Sequence, residues 1–88
     1  MSWYVYILRC ADDTLYTGIT DDVDRRVAAH NAGKGAKYTR GRCPVRPVYR
    51  EVCPDKSAAL KRELAIKALS RPQKLALIDQ FSPNEATT

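Results

Sequence analysis

The stretch "WYVYILRCADDTLYTGIT", residues 3–20, decides the fold. From Trp3 to Cys10 the side chains alternate, with Trp3, Val5 and Ile7 on one face and Tyr4, Tyr6, Leu8 and Cys10 on the other. The residues are mostly aromatic, β-branched or aliphatic, which suits a strand. Ala11-Asp12-Asp13 is a turn signal, and Leu15 to Ile19 is a second short strand. Burial then chooses the register. A two-residue turn at Asp12-Asp13 would set Cys10 opposite Leu15 and send Tyr6 and Tyr16 to opposite sides. An odd loop, Ala11-Asp12-Asp13, sets Leu8 opposite Tyr16 and Tyr6 opposite Gly18. It also gathers Trp3, Val5, Ile7, Leu15 and Ile19 on one apolar face, which a one-residue slip would scatter. The odd loop is therefore expected, with both tyrosines and Gly18 on the other face.

Downstream, "TDD" supplies caps and early negative charge for a helix. Val23, Val27 and His30 recur at helical spacing, and Gly33 ends the run. Arg26 lies within that stripe and should lean toward the sheet, whereas Arg25 should face water. "GKGAKYTRGRCP" reads as a loop. Val48 to Cys53 is a third strand, and Pro47 just ahead of it suits a sheet edge. "PDKSAALKRELAIKALS" is a second helix, capped by Asp55 or Ser57. Its expected core residues are Leu60, Leu64 and Ile66, with Glu63 between the leucines on the sheet side. "SRPQKLALIDQF" is a third helix with a Ser70/Gln73 capping box and a buried face of Leu75, Ile78 and Phe81. The order β-β-α-β-α-α implies an α/β fold: a three-stranded antiparallel sheet flanked by three helices.

The 88 residues suggest one domain, expected over 1–82, with 83–88 as a flexible polar tail. The net charge of +5 favours a polyanionic partner. The start carries no basic stretch followed by an apolar run, and no apolar run approaches the roughly 20 residues that span a bilayer. The protein is expected to be cytoplasmic. Cys10, Cys43 and Cys53 are odd in number and form no C-x-x-C, so neither a zinc site nor a disulfide framework is expected. Cys10 and Cys53 read as small core residues.

The groups expected on one face are Tyr6, Tyr16, Arg26, His30 and Glu63, with Gly18 opening space beside them. One carboxylate can hold one divalent metal while waters fill its other positions. An arginine offers a planar fork for phosphate, and a tyrosine or histidine can take the proton of an attacking water. These are the parts of a phosphodiesterase. Each residue also has an ordinary reading: Arg26 as a partner for Asp22, Glu63 for Lys67, and His30 as a semi-buried helix residue. In the loop, Lys34, Lys37, Arg40 and Arg42 surround Tyr38. Basic groups interleaved with an aromatic suit a phosphate backbone with base stacking, and Arg25 suits a phosphate contact.

"VYI" followed by "YTG" nine to ten residues later resembles the paired motif of the GIY-YIG nuclease superfamily. Arg26 stands ten residues after Tyr16, "RRVAAHN" looks like the family's helix, and Glu63 falls on a later helix. "YVYILRC", "LYTGIT" and "GKGAKYTR" look most like its small, single-domain bacterial members. The resemblance covers roughly residues 2–80. It implies metal-dependent hydrolysis of DNA phosphodiesters, with a role in DNA repair or processing; RNA is not distinguished from DNA. It further implies that Glu63 holds one Mg²⁺ or Mn²⁺, that Arg26 stabilises charge on the phosphate, and that Tyr6 is the general base. Tyr16 would position the water or share the role of base, and His30, which needs no activation for it, would assist proton transfer or serve as the base itself. Tyr6 carries a cost in that role: a phenol near pKa 10 is ionised to about one part in 10³ at pH 7, a gap of roughly 4 kcal/mol. Tyr4 stands where the motif has its first glycine and Thr17 where it has its second isoleucine. Ile19 stands where repair-type members carry a lysine. The alternative to catalysis is a nucleic-acid-binding module on the same fold that cleaves poorly.

Overall fold

In the computed structural model, which describes residues 2–81, strand β1 (Trp3–Arg9) runs into β2 (Leu15–Thr20) through a tight turn. Cys10 N–H donates to the Thr14 carbonyl at 2.9 Å and Asp13 N–H to the Cys10 carbonyl at 2.9 Å. Ala11, Asp12 and Asp13 are thus the three loop residues, and Asp13 takes the left-handed conformation, φ 69°. A three-residue hairpin loop has this form, and aspartate tolerates that backbone better than most side chains. The loop is odd, as burial requires. Tyr6 pairs with Gly18 and Leu8 with Tyr16.

Strand β3 (Arg46–Cys53) lies on the other side of β1, giving the antiparallel order β2-β1-β3. It begins two residues earlier than the sequence suggests and contains Pro47. Ile7 pairs with Tyr49 but Leu8 pairs with Pro47, so Val48 is an extra residue at a register shift. Proline lacks an N–H to donate, and a bulged edge strand is where a sheet accepts it.

Both faces of the sheet are covered. Val5, Ile7 and Tyr49 pack with Ile66 from α2 (Lys56–Lys67), and Leu77, Ile78 and Phe81 from α3 (Arg71–Phe81) close that layer. Tyr6, Leu8, Cys10 and Val45 pack on the other face with Tyr16 and with Val27 from α1 (Val23–Asn31). Cys10 and Cys53 are buried and unbonded. The caps are Asp22 for α1, accepting from Arg25 N–H at 3.1 Å, and Asp55 for α2, accepting from Ala58 N–H at 2.8 Å. Ser70 and Gln73 form the reciprocal box that starts α3.

Helix α2 is rotated from the expected phase. Leu60 is 42% and Leu64 68% exposed, while Ala59 and Ile66 are fully buried. The inward stripe runs Ala59, Arg62, Glu63, Ile66. Alanine at position 59 lets the helix approach the sheet closely. Arg62 then fixes the rotation: its Nε donates to Glu51 at 3.1 Å, and the Tyr49 hydroxyl donates to the same carboxylate oxygen at 2.6 Å. Glu63 therefore turns inward because of Ala59, Arg62 and Ile66, not because of two leucines. In α3 the residue packed on the core beside Ile78 and Phe81 is Leu77 rather than Leu75. The expected tail, 83–88, lies outside the described residues.

Candidate active site

The alternation of β1 places Tyr6 beneath α1, and helical spacing places His30 above it. Tyr6 is 1% exposed and His30 fully buried. The Tyr6 hydroxyl lies 3.1 Å from His30 Nε2, and His30 Nδ1 lies 2.8 Å from Thr39 Oγ1. The Thr39 hydroxyl gives its proton to the Ala36 carbonyl at 2.8 Å. Its oxygen must then accept from His30 Nδ1–H, because a hydroxyl has one proton. Ala36 N–H also faces Nδ1, but at 3.4 Å it is too long to compete. Nε2 is left with a lone pair, and Tyr6 O–H donates to it. Thr39 thereby sets the tautomer.

Two glycines make room for this pair. A Cβ at Gly18 would stand 2.6 Å from the Tyr6 hydroxyl, and one at Gly35 would stand 2.8 Å from His30 Cα. The space beside Gly18 is thus filled by Tyr6 itself. Tyr16 is half-buried. Its ring is 6.4 Å from that of Tyr6, 5.3 Å from His30 and 5.7 Å from Tyr38, on which it stacks at 29°.

The charges around the pair act in opposite senses. Burial raises the Tyr6 phenol above its ordinary value, while the Arg26 guanidinium opposes that shift and the Glu63 carboxylate adds to it. Burial, and then Arg26, lower the His30 imidazole below its ordinary value, so it is held neutral. Arg26 leans inward, and no ion pair to it is found among the described residues. Arg25 is exposed and pairs with Asp21 at 3.1 Å. Glu63 comes from the opposite layer. It pairs with Lys67 at 3.3 Å, its side chain is 15% exposed, and its charge adds to the rise of the Tyr6 phenol.

The basic loop is more ordered than its sequence suggests. Lys37–Thr39 form a 3₁₀ turn that lays Tyr38 on Tyr16 and Thr39 on His30. Arg42 is largely committed within the fold: its Nη1 bonds Asp12 at 2.6 Å, its Nε bonds the Tyr38 carbonyl at 2.8 Å, and its guanidinium covers the Tyr38 ring at 4.4 Å. Lys34, Lys37 and Arg40 are exposed. Asn31 anchors the far end of the loop, exchanging two hydrogen bonds with the backbone of Val45. Sequence reasoning did not single out Thr39, Gly35 or Asn31. "HN" and "GKG" marked their positions, but their partners lie across the fold.

The neutral, buried His30 sets a pH dependence. Its folded pKa lies below the unfolded one, so the unfolded chain binds the proton more readily. The stabilisation is complete above about pH 6.5 and is lost as pH falls from there through the lower folded value. The unfolding free energy should therefore drop across that window, by no more than about 1.4 kcal/mol per pH unit, and the unfolding midpoint with it. His30→Gln should lack this limb. An unchanged acid limb in that variant would show that His30 is not its source.

These features define a class before they define a protein. A model of the GIY-YIG catalytic domain matches residues 2–76, and the chain belongs to that nuclease-type family. Within it, the chain is 61% identical over 75 residues to a UPF0213 protein of Natronomonas pharaonis, a span of 85% of this chain and 88% of the relative. It is 56% identical over 77 residues to a UPF0213 protein of Staphylococcus haemolyticus, covering 88% and 94%. The solution NMR structure of a UPF0213 protein from Bacillus halodurans is similar at TM-score 0.63 and 50% identity, covering 100% of this chain and 95% of that one. The family implies a nucleic-acid substrate, and no helix among the described residues is long and apolar enough to cross a membrane.

Proposed function

We propose that this chain is a divalent-metal-dependent nuclease that hydrolyses DNA phosphodiesters with little sequence specificity, in DNA repair or processing. The observation that carries the reading is the buried Tyr6–His30 hydrogen bond, whose phenol is acted on by the Arg26 cation and, more weakly, by the Glu63 carboxylate. The same four residues have ordinary structural uses elsewhere, but a buried phenol aimed at a histidine lone pair is a proton path.

Whether a metal fits is decided by the donor set. No group of three or more His, Cys, Asp or Glu that could hold an ion occurs among the described residues, so a closed zinc-type site does not fit. Mg²⁺ takes one or two carboxylates, keeps several waters and uses substrate phosphates for the rest. Glu63, mostly buried and paired with Lys67 among the described residues, fits that demand. When bound there, Mg²⁺ or Mn²⁺ supplies Lewis-acid polarisation of the phosphate and the leaving oxygen. Arg26 stabilises the charge that grows on the phosphate. Tyr6 takes a proton from the attacking water as its own passes to His30 Nε2, so no free phenolate is needed. Thr39 keeps Nε2 unprotonated beforehand. Tyr16, half-buried where Tyr6 is buried, positions the water. Arg25, Lys34, Lys37, Arg40 and Arg42 form the cationic surroundings for the strand, with the exposed Tyr38 ring among them. Contacts of that kind address phosphate, which carries no sequence.

The 1% exposure of Tyr6 favours one other reading, a nucleic-acid-binding module that cleaves poorly. Nicking of supercoiled plasmid decides between them. The purified chain should nick in Mg²⁺ or Mn²⁺ and not in EDTA. Binding without nicking in any divalent metal would establish the binding module instead.

A further inference from the structure

The chain has one tryptophan, Trp3, and the fold places it beside the site. It shares a face of β1 with Val5 and Ile7, yet those two are fully buried and Trp3 is only half-buried. Its indole lines a cavity of about 390 Å³ together with Ile19, Thr20, Asp21, Arg25, Arg26 and Ala29. Lys56 Nζ lies over one face of the indole, 5.3 Å from its centroid, a cation–π contact that leaves the other face for a base. The lining is therefore mixed: Trp3, Ile19 and Ala29 are apolar, Thr20 is polar, and the Asp21 carboxylate is paired with Arg25 at 3.1 Å, which leaves Arg26 as the lining cation with no ion pair among the described residues. Its volume lies in the lower part of the range of small-molecule sites, about 300–1,000 Å³. Arg26 belongs both to this cavity and to the charge pattern around Tyr6 and His30.

We propose that this cavity is a subsite for an unpaired nucleobase of the substrate strand, with Trp3 as its stacking platform, next to the phosphodiester held by Arg26. The inference rests on the nuclease reading and adds a substrate class to it. Indole faces stack with any base, which gives affinity without sequence preference. A base inside a duplex has both faces covered by its neighbours. The subsite thus selects single-stranded, flapped or frayed segments, and the flanking phosphates meet Arg25 and Arg26. DNA and RNA share this chemistry.

Short labelled oligonucleotides test it by anisotropy, with EDTA present so that nothing is cleaved. A single-stranded oligomer should bind about ten-fold more tightly than one of equal length with an abasic position, and should quench Trp3 emission. A blunt duplex should leave that emission unchanged. Trp3→Phe should keep the base dependence and Trp3→Ala should lose it. If Trp3→Ala does not fold, Ala29→Leu, which fills the cavity and leaves the indole in place, should lose it instead. Equal binding of base-bearing and abasic strands would overturn the subsite, as would base dependence that survives both variants. Matched ribo- and deoxyribo-oligomers identify the preferred sugar. Plasmid nicking without base-dependent binding removes the subsite and leaves the nuclease reading. Base-dependent binding without nicking in any metal does the reverse.

Discussion

Tyr6→Phe is expected to lower the nicking rate by about 10²–10⁴-fold, the range for losing a positioned acid–base group. The substitution isolates the hydroxyl. Phenylalanine keeps the ring that fills the space over Gly18, so packing on that face is retained. What disappears is the donor to His30 Nε2, 3.1 Å away. Leaving that nitrogen without a partner costs about 1–3 kcal/mol of stability. The two effects are read separately: single-turnover nicking for the rate, thermal unfolding for stability. The rate loss must appear at a temperature where the variant is fully folded. A folded Tyr6→Phe protein that nicks within three-fold of the parent would remove Tyr6 from the chemistry.

Glu63→Gln should abolish metal-dependent nicking while leaving the fold nearly unaffected. Its only ion pair among the described residues is with Lys67, a helical i,i+4 contact worth about 0.2–0.5 kcal/mol. The amide keeps the shape of the side chain and removes the charge that a hard cation requires. Two further measurements accompany activity. Calorimetric titration with Mn²⁺ should lose its binding isotherm. The Tyr6 phenol should ionise at lower pH in the metal-free variant, because Glu63 is one of the groups that raise it. Retained nicking with an unchanged tyrosinate titration would place Glu63 outside the site altogether.

The hairpin was legible in the sequence because its information is local. Alternation in residues 3–10, turn residues at 11–13 and a period of two leave one register that buries a full apolar face. The caps at Asp22, Asp55 and Ser70 were legible for the same reason. The phase of α2 was not. Leu60 and Leu64 are the larger apolar residues, but rotation is set by a small residue, Ala59, and by the reach of Arg62 to Glu51 on another element. Glu63 faces inward as its position suggests, but through Ala59, Arg62 and Ile66 rather than the leucines beside it. The register shift at Val48 escaped because proline signals an edge strand but not where the extra residue goes. In the loop, charge alone could not distinguish Arg42, largely engaged by Asp12 and Tyr38, from the exposed Arg40. Thr39 has no periodicity to announce it, and its role exists only once His30 stands opposite.

Gly18 and Gly35 act together as a gauge. One backbone stands against the Tyr6 hydroxyl and the other against His30. The separation of donor and acceptor is therefore set by main-chain positions on two different segments, rather than by the reach of either side chain. A methyl at either point would alter that spacing even with every charge and every hydrogen-bonding group retained. The site is constrained by the absence of atoms as strictly as by their presence, and substitutions at these two positions belong with those at its polar residues in any account of how the protein fails.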